Sequence, residues 1–230
     1  MIKENIESIR VEIENAAKVS GRNASDITLI SVSKTQPVDR LLEAYRSGAR
    51  EFGENKVQEI VSKYPFMPSD ARFHMIGHLQ KNKVKDVVDK AVLIHSVDSL
   101  ELAKVIQKES LKRNIITPIL IEVNIAREDS KFGVFKEDVL PLAEEISKLS
   151  NVSLRGLMTV APYVDDAEDN RQYFAAMKQL AIDIENQNID NVSMKILSMG
   201  MSADYKVAIE EGATHVRVGT KIFGARNYSK

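Results

Sequence analysis

The sequence predicts an α/β protein, a single (β/α)8 TIM barrel over residues 1–230 with an extra N-terminal helix. Eight short apolar segments have the character of β-strands, and helical sequence follows each of them. No Gly-x-Gly-x-x-Gly motif follows the first strand, which disfavours an open doubly wound sheet, the competing α/β architecture. A chain of 230 residues lies near the small end of the barrel size range, and no Ser/Gly/Pro-rich linker divides it.

The N-terminal stretch MIKENIESIRVEIENAAK precedes the first strand and has the pattern of an amphipathic helix. Ile2, Ile6, Ile9, Ile13 and Ala17 recur at helical spacing. Acidic and basic residues are mixed on the polar face, so we expect this helix to pack on the domain rather than on a membrane surface. The stretch lacks the apolar core of a signal peptide.

The eight strands are recognised as short runs rich in β-branched and apolar residues between turn signals. They are predicted at residues 27–33, 50–53, 72–76, 91–95, 117–124, 152–158, 194–198 and 214–218.

Helices between the strands are marked by apolar stripes and by capping residues. The stripes comprise Val38, Leu41, Leu42 and Tyr45; Val105 and Ile106; Tyr173, Phe174, Met177, Leu180, Ala181 and Ile184, the longest of them; and Val207 and Ala208. The stretch from Asp98 to Glu101 has capping-box spacing, and Ser202 is a predicted N-cap. Gly48 and Gly212 are placed to end helices.

Composition narrows the classes of function. The formal net charge of −1 gives no electrostatic basis for general nucleic-acid binding. The chain has no cysteine, which excludes disulfides, thiolate metal sites and cysteine nucleophiles and suits a reducing cytoplasm. No segment is long and apolar enough to cross a membrane. We therefore expect a cytoplasmic protein without a nucleic-acid or membrane partner.

Lys34 stands at the end of the first strand in an unusual position. Successive strand residues alternate sides, so Lys34 shares a face with Val32, Ile30 and Thr28. A lysine at a strand end ordinarily lays its methylenes along an apolar edge and keeps its charge in water. A chemical role becomes the better interpretation only if the rest of the chain builds a pocket around it.

The exits of the last two strands are candidates for such a pocket. Residues 197–204 (LSMGMSAD) and 217–224 (RVGTKIFG) each combine glycine, small hydroxyl residues and the start of a helix. Helix N-termini suit phosphate groups, and these two loops often hold phosphate in barrels. Gly219 or Ser202 alone is better explained as a turn or a cap. Both loops together, opposite an inward lysine, indicate a phosphate site.

An inward lysine that faces a phosphate site has two chemical interpretations. One is a Schiff-base aldolase acting on a sugar phosphate, and the other is pyridoxal 5′-phosphate (PLP), whose aldehyde bonds to lysine. Arg217, two residues before Gly219, could face the barrel and meet the pyridine nitrogen of PLP. An arginine would also bind phosphate, so Arg217 favours PLP only slightly.

The four histidines do not form a metal motif. His74 and His78 are four apart, but that spacing runs through a strand end and Gly77, and the other two lie on separate strands. Hydrogen-bonding roles are expected for them instead.

These motifs together resemble the pyridoxal phosphate homeostasis protein family, also called the proline synthase co-transcribed family. The matching motifs run nearly end to end: VSKTQP (32–37), FGENKVQE (52–59), FHMIGHLQKNK (73–83), HSVDS (95–99), EVN with Glu128, Lys131 and Gly133, GLM (156–158) and LSMGMSADYKVAI…VRVGTKIFGAR (197–226). Phe73, Met75 and Lys56 stand where the family often has other residues.

The resemblance implies a barrel of the alanine-racemase-like PLP class. The implied cofactor-binding residues are Lys34, Asn55, Met158, Met201, Ser202, Arg217, Gly219 and Thr220. Lys34 would carry the internal aldimine, a Schiff base, and Arg217 would face the ring nitrogen. The four residues of the last two loops would hold the phosphate, and Asn55 and Met158 would lie near the ring.

The resemblance also implies a role in PLP homeostasis, as a carrier or buffer with little or no catalysis. Related racemases draw a tyrosine acid/base from an additional β-domain, and only six residues follow Gly224 here, so we expect that group to be missing. A PLP-dependent racemase or decarboxylase remains the alternative, with a Schiff-base aldolase less favoured. Apo PLP-dependent enzymes are the expected transient partners, and the family expectation is a monomer.

Overall fold

The eight predicted strands pair into one closed parallel sheet in the computed structural model, which describes residues 1–224. The strands are β1 (Thr28–Val32), β2 (Glu51–Glu54), β3 (Arg72–Met75), β4 (Ala91–Val97), β5 (Thr117–Glu122), β6 (Val152–Met158), β7 (Val192–Met201) and β8 (His215–Val218). Because β1 pairs with both β2 and β8, the sheet is a barrel and not an open doubly wound sheet.

Strand β7 is longer than its predicted range of 194–198. It runs on through Met199 and Gly200 to Met201, which pairs with Arg217 of β8. Glycine and serine here suggested a strand exit, but Gly200 has a φ of +88°, a left-handed conformation that glycine adopts without strain and that lets the strand bend while still paired. The exit loop therefore begins later than predicted.

Nine helices surround the barrel within residues 1–224. They are α1 (Ile2–Val19), α2 (Val38–Arg46), α3 (Val57–Lys63), α4 (Val84–Val87), α5 (Leu100–Lys112), α6 (Val139–Ser147), α7 (Arg171–Glu185), α8 (Tyr205–Glu210) and α9 (Thr220–Phe223). Helix α7, marked by the longest apolar stripe, is the longest of those between strands.

Two predicted helix starts need correction. Helix α5 is capped by Ser99, whose hydroxyl accepts from the Leu102 amide at 3.4 Å, so the cap lies one residue after Asp98. Helix α8 is capped at Asp204 and not at Ser202. The Ser202 hydroxyl instead accepts a hydrogen bond from the Gly219 amide at 3.2 Å, on the neighbouring strand exit.

Helix α1 packs on the barrel, as its amphipathic pattern predicts. Its isoleucines are buried, and the helix contacts α2, α8 and α9. Asn5 Nδ2 donates to the Ile222 carbonyl at 2.9 Å, and the Tyr205 hydroxyl donates to Glu12 at 2.7 Å. In the part of the chain from residue 1 to 224, no helix has both the length and the apolar character of a membrane span.

The strand register defines which residues face the barrel interior. Ile30 pairs with Arg217, and Val32 pairs with Gly53. A Cβ on Gly53 would lie 2.9 Å from both Ile30 and Ile76 side chains, so the interior is closely packed and leaves no room for a side chain there. The parity that places Ile30 and Val32 inside is confirmed.

Candidate functional site

A cavity of about 360 Å³ opens at the carboxyl ends of the strands, within the size range of small-molecule sites. Its lining consists of Val32, Lys34, Asn55, Ile76, Val160, Met201, Ser202, Ala203, Arg217, Gly219 and Thr220. The structure thus brings together seven of the eight residues that the family resemblance implies for cofactor binding.

Lys34 reaches this cavity from a turn just beyond β1. It is half-buried and lines the cavity together with Val32, as the strand parity predicts. The next residue, Thr35, has a φ of +65°, an uncommon left-handed conformation for a residue with a Cβ. The backbone therefore turns sharply directly after the lysine.

The exits of β7 and β8 converge on the other side of the cavity. The hydrogen bond from the Gly219 amide to Ser202 joins the two loops directly. Asp204 Oδ1 accepts from the Met201 amide at 2.7 Å, and its Oδ2 accepts from Asn170 Nδ2 at 2.9 Å. Because α9 begins at Thr220, the cavity also receives a helix start, as expected of a phosphate loop.

Arg217 places a buried positive charge at the inner side of the cavity. Nη1 donates to the Ser198 carbonyl at 2.7 Å and hydroxyl at 2.6 Å, and Nη2 donates to the Thr159 carbonyl at 2.7 Å. Burial lowers the pKa of Arg217 to about 10, against the opposing attraction of Glu122 and Asp204. The guanidinium stays charged at neutral pH and acts only as a donor.

A chain of hydrogen bonds continues from Arg217 through the barrel interior. Ser198 Oγ bonds His95 Nδ1 at 2.9 Å, His95 Nε2 bonds His74 Nδ1 at 2.9 Å, and His74 Nε2 bonds Glu51 at 2.7 Å. Burial lowers the pKa of His95 well below its ordinary value. Hydrogen-bonding roles for these histidines are confirmed, and the described residues contain no acidic, histidine or cysteine cluster fit for a metal ion.

Met158 is the one suggested residue that does not line the cavity. It is fully buried in a small apolar cluster with Leu93 and Leu120. Val160, two residues later and past the end of β6, packs on this cluster and lines the cavity instead. The lining positions Ile76 and Val160 were not predicted, although Ile76 is the last residue of the predicted strand 72–76 and Val160 lies two residues beyond the predicted strand 152–158.

Two buried acidic residues near the site were also missed. Burial raises the pKa of Glu54 to about 7, although hydrogen bonds from Lys63 and Ser33 oppose the shift. Burial likewise raises the pKa of Glu122 to about 7, against the attraction of Arg217. Glu54 ends β2 and Glu122 ends β5, whereas the predicted strands covered 50–53 and 117–124, and a strand end alone does not reveal whether a carboxyl is buried.

Comparison with known proteins gives consistent matches over nearly the whole chain. Residues 5–227 match the family described as alanine racemase, N-terminal domain. Proteins named pyridoxal phosphate homeostasis protein are 43% identical in Aquifex aeolicus, over 98% of each chain, and 40% identical in Vibrio alginolyticus, over 99% of each chain. The structure of PipY from Synechococcus elongatus PCC7942 with PLP bound superposes with a TM-score of 0.84 at 32% identity, covering 97% of this chain and 100% of that one.

The fold is therefore that of an alanine racemase N-terminal-type barrel, and the cavity lies at the carboxyl ends of its strands. Within that class, the chain belongs to the pyridoxal phosphate homeostasis protein family.

Proposed function

We propose that this chain, as a single domain over residues 1–230, binds PLP in the cavity at the carboxyl ends of the strands and holds it covalently through Lys34. The observation that carries this proposal is that Lys34 lines the same cavity as Ser202, Gly219 and Thr220 of the two convergent loops. The PLP bound to PipY, a relative 32% identical over nearly the whole chain, supports it.

The residues of the cavity fit PLP chemically. When bound, PLP supplies an aldehyde that condenses with a primary amine, forming a Schiff base with loss of one water. Lys34 is the primary amine among the described lining residues. Arg217, a donor only, suits a ring nitrogen that carries no proton.

The other lining residues divide between the phosphate and the ring. The Ser202 and Thr220 hydroxyls donate to the phosphate, together with backbone amides of the two loops to which Met201 and Gly219 belong. Asn55 lies beside the ring. Met158 acts on the ring indirectly, because it belongs to the apolar cluster on which the lining residue Val160 packs.

The role that this site supports best is PLP supply and buffering with little or no turnover. The curated relatives carry the name homeostasis protein. Racemisation needs two groups that move protons. Among residues 1–224, the cavity lining offers two ionisable side chains, Lys34 and Arg217, and Arg217 stays protonated at neutral pH, so it does not serve as the second group. The protein acts as a cytoplasmic monomer that passes PLP to apo PLP-dependent enzymes.

The decisive experiment for the covalent bond is an absorbance spectrum of the purified protein before and after borohydride, with peptide mapping of the reduced adduct. Lys34→Ala is expected to abolish both the Schiff-base absorbance and the adduct. Lys56→Ala, which changes an exposed lysine next to Asn55, is the matched control and keeps both. An adduct on Lys56, Lys83 or Lys221 in the unmodified protein would contradict the assignment.

A second experiment separates a carrier from an enzyme. Loaded protein is mixed with an apo PLP-dependent enzyme, and recovery of that enzyme's activity is followed beside racemisation and decarboxylation of common amino acids. Transfer with negligible turnover is expected. Turnover on the order of 1 s⁻¹ or above would restore the racemase or decarboxylase interpretation, which the family match keeps open. A borohydride-trapped adduct with a sugar phosphate would favour the aldolase.

A further inference from the structure

The backbone on either side of Lys34 is held by an ionic cluster, defined here as the buried Glu54 and Lys63 with the half-buried Glu59. The Lys63 ammonium donates to Glu54 Oε1 at 2.8 Å, to Glu59 Oε1 at 3.1 Å and to the Ser33 carbonyl at 2.9 Å. Lys63 is 5% exposed and Glu54 is fully buried. These contacts use all three donors of the ammonium.

The ionic cluster reaches the turn of Lys34 from both sides. Before the lysine, Ser33 Oγ donates to Glu54 Oε1 at 2.6 Å. After it, the Thr35 amide donates to Glu59 Oε1 at 2.6 Å. The left-handed conformation of Thr35 is unfavourable for a residue with a Cβ and persists only where its surroundings impose it. The bond to Glu59 is such a constraint.

Stability alone is a poor explanation for this ionic cluster. Buried ion pairs often stabilise a protein no more than apolar residues of the same volume, because removing charges from water is costly. Burial raises the pKa of the Glu54 carboxyl, and Glu54 Oε2 has no hydrogen-bond partner among the described residues. The three side chains of the cluster are not part of the cavity lining described above, and the contacts of Glu59 and Lys63 with Thr35 and Ser33 link them to a ligand through the backbone of the turn.

We propose that Glu59 and Lys63 are positioning residues: with Glu54 they fix the turn at residues 33–35 and so set the direction in which the Lys34 amine enters the cavity. This inference rests on the covalent role proposed for Lys34. A fixed amine reacts with a bound aldehyde far more readily than one that samples many directions. The proposed contacts to the phosphate come from the exits of β7 and β8 and do not pass through Glu59 or Lys63. Asn55, proposed to lie beside the ring, follows Glu54 directly, so the test below changes Glu59 and Lys63 and leaves Glu54 in place.

The test compares two ligands that differ only in the reacting group. PLP carries an aldehyde, whereas pyridoxine 5′-phosphate carries an alcohol and cannot bond to lysine. Glu59→Ala removes the acceptor of the Thr35 amide but leaves the pair of Lys63 and Glu54. It is expected to weaken PLP binding roughly 10-fold or more, with pyridoxine 5′-phosphate changed less than about twofold. Glu59→Gln keeps an acceptor and should recover most of the PLP affinity.

A matched control removes a buried polar contact elsewhere. Ser110 and Thr117 share a buried hydrogen bond at 2.7 Å, where β5 begins, at the end of the barrel opposite the cavity. Ser110→Ala should lower the melting temperature without changing the ratio of the two affinities. Lys63→Met, measured in the same way, should lower the ratio of PLP affinity to pyridoxine 5′-phosphate affinity, as Glu59→Ala does. If Lys63→Met does not fold, the comparison of Glu59→Ala with Glu59→Gln decides alone.

Equal losses for the two ligands in Glu59→Ala, or an unchanged PLP affinity, would overturn the positioning role. Borohydride mapping of the unmodified protein distinguishes this failure from failure of the proposed function. An adduct on Lys34 together with equal losses leaves the covalent role standing and rejects positioning. An adduct on another lysine rejects both.

Discussion

Glu122 places an ionisable carboxyl inside the barrel, and its replacement by glutamine is expected to reduce the pH dependence of stability. Glu122 is the last residue of β5 and is 8% exposed. Its Oε2 has no hydrogen-bond partner among the described residues. Burial raises its pKa to about 7, with a further rise from Asp98 and an opposing effect of Arg217.

The direction of the pH dependence follows from comparing the pKa of Glu122 in the folded and unfolded states. The pKa in the folded chain is about 7, against 4.5 for the carboxyl without this environment. The folded state therefore binds the proton more tightly than the unfolded state. The resulting stabilisation is fully present below the unfolded pKa and is lost as the pH rises through the folded one. This difference in pKa corresponds to about 2.5 kcal/mol of stabilisation at pH 5 and almost none at pH 8.

The assay is denaturant unfolding at pH 5 and pH 8 without PLP, which gives the free energy of unfolding at each pH. The unmodified protein contains other titrating groups. The informative quantity is therefore how the substitution changes the difference between the free energies of unfolding measured at pH 5 and at pH 8. Glu122→Gln should shift that difference by roughly 2–3 kcal/mol in favour of pH 8. Glu122→Asp keeps a buried carboxyl and should retain the original dependence. If Glu122→Gln behaved like the unmodified protein, the argument from burial would be refuted.

Three further predictions concern the phosphate loops and the helix packing. Thr220→Ala removes one hydroxyl donor, so PLP affinity should fall roughly 10- to 150-fold in an absorbance titration. The affinity for pyridoxal, which lacks the phosphate, should be far less affected. Equal losses for the two ligands would show that Thr220 does not contact the phosphate. Gly200→Ala would put a Cβ 2.6 Å from the Ala208 Cβ at a φ of +88°, and thermal unfolding should show a loss of about 2 kcal/mol or more; an unchanged melting temperature would mean that α8 moves aside at little cost. Ile6→Ala in α1 should cost about 2–5 kcal/mol in denaturant unfolding. Val11→Ala, on the exposed side of the same helix, should change stability by no more than about 0.5 kcal/mol, and similar losses in both variants would argue against packing of the isoleucine face.

The barrel and the place of Lys34 could be predicted because both follow from regular patterns in the sequence, the alternation of β-strands with helices for the barrel and the alternation of side chains along β1 for Lys34. Alternation along β1 fixes the side on which Val32 and Lys34 lie, whatever the details of the turn. The strand count and the helices between strands then bring all carboxyl ends to one rim. The end of β7 could not be predicted in the same way, because Gly200 and Ser202 are turn formers that here sit in a bent strand and a loop contact.

The ionic cluster shows a different limit of sequence-based prediction. Glu59 and Lys63 are four residues apart on α3, a spacing that on most helices makes a solvent-exposed pair. Their contact with Ser33 and Thr35 depends on how α3 packs beside the end of β1, which local sequence does not encode. That Met158 does not line the cavity could not be foreseen for a related reason, since local sequence does not encode how deeply a side chain is buried in the barrel.

Pairing of β8 with β1 has a consequence for how the protein is made. Lys34 lies early in the chain and Thr220 near its described end, and they share a cavity only because the last strand closes on the first. A nascent chain on the ribosome therefore lacks the complete site until β8 has emerged. PLP, bound as proposed, would select finished barrels and stabilise them by about 2.7 kcal/mol at a hundredfold excess over its Kd. Loading with the cofactor would then be the last event of maturation, and bound PLP would indicate that the barrel has closed.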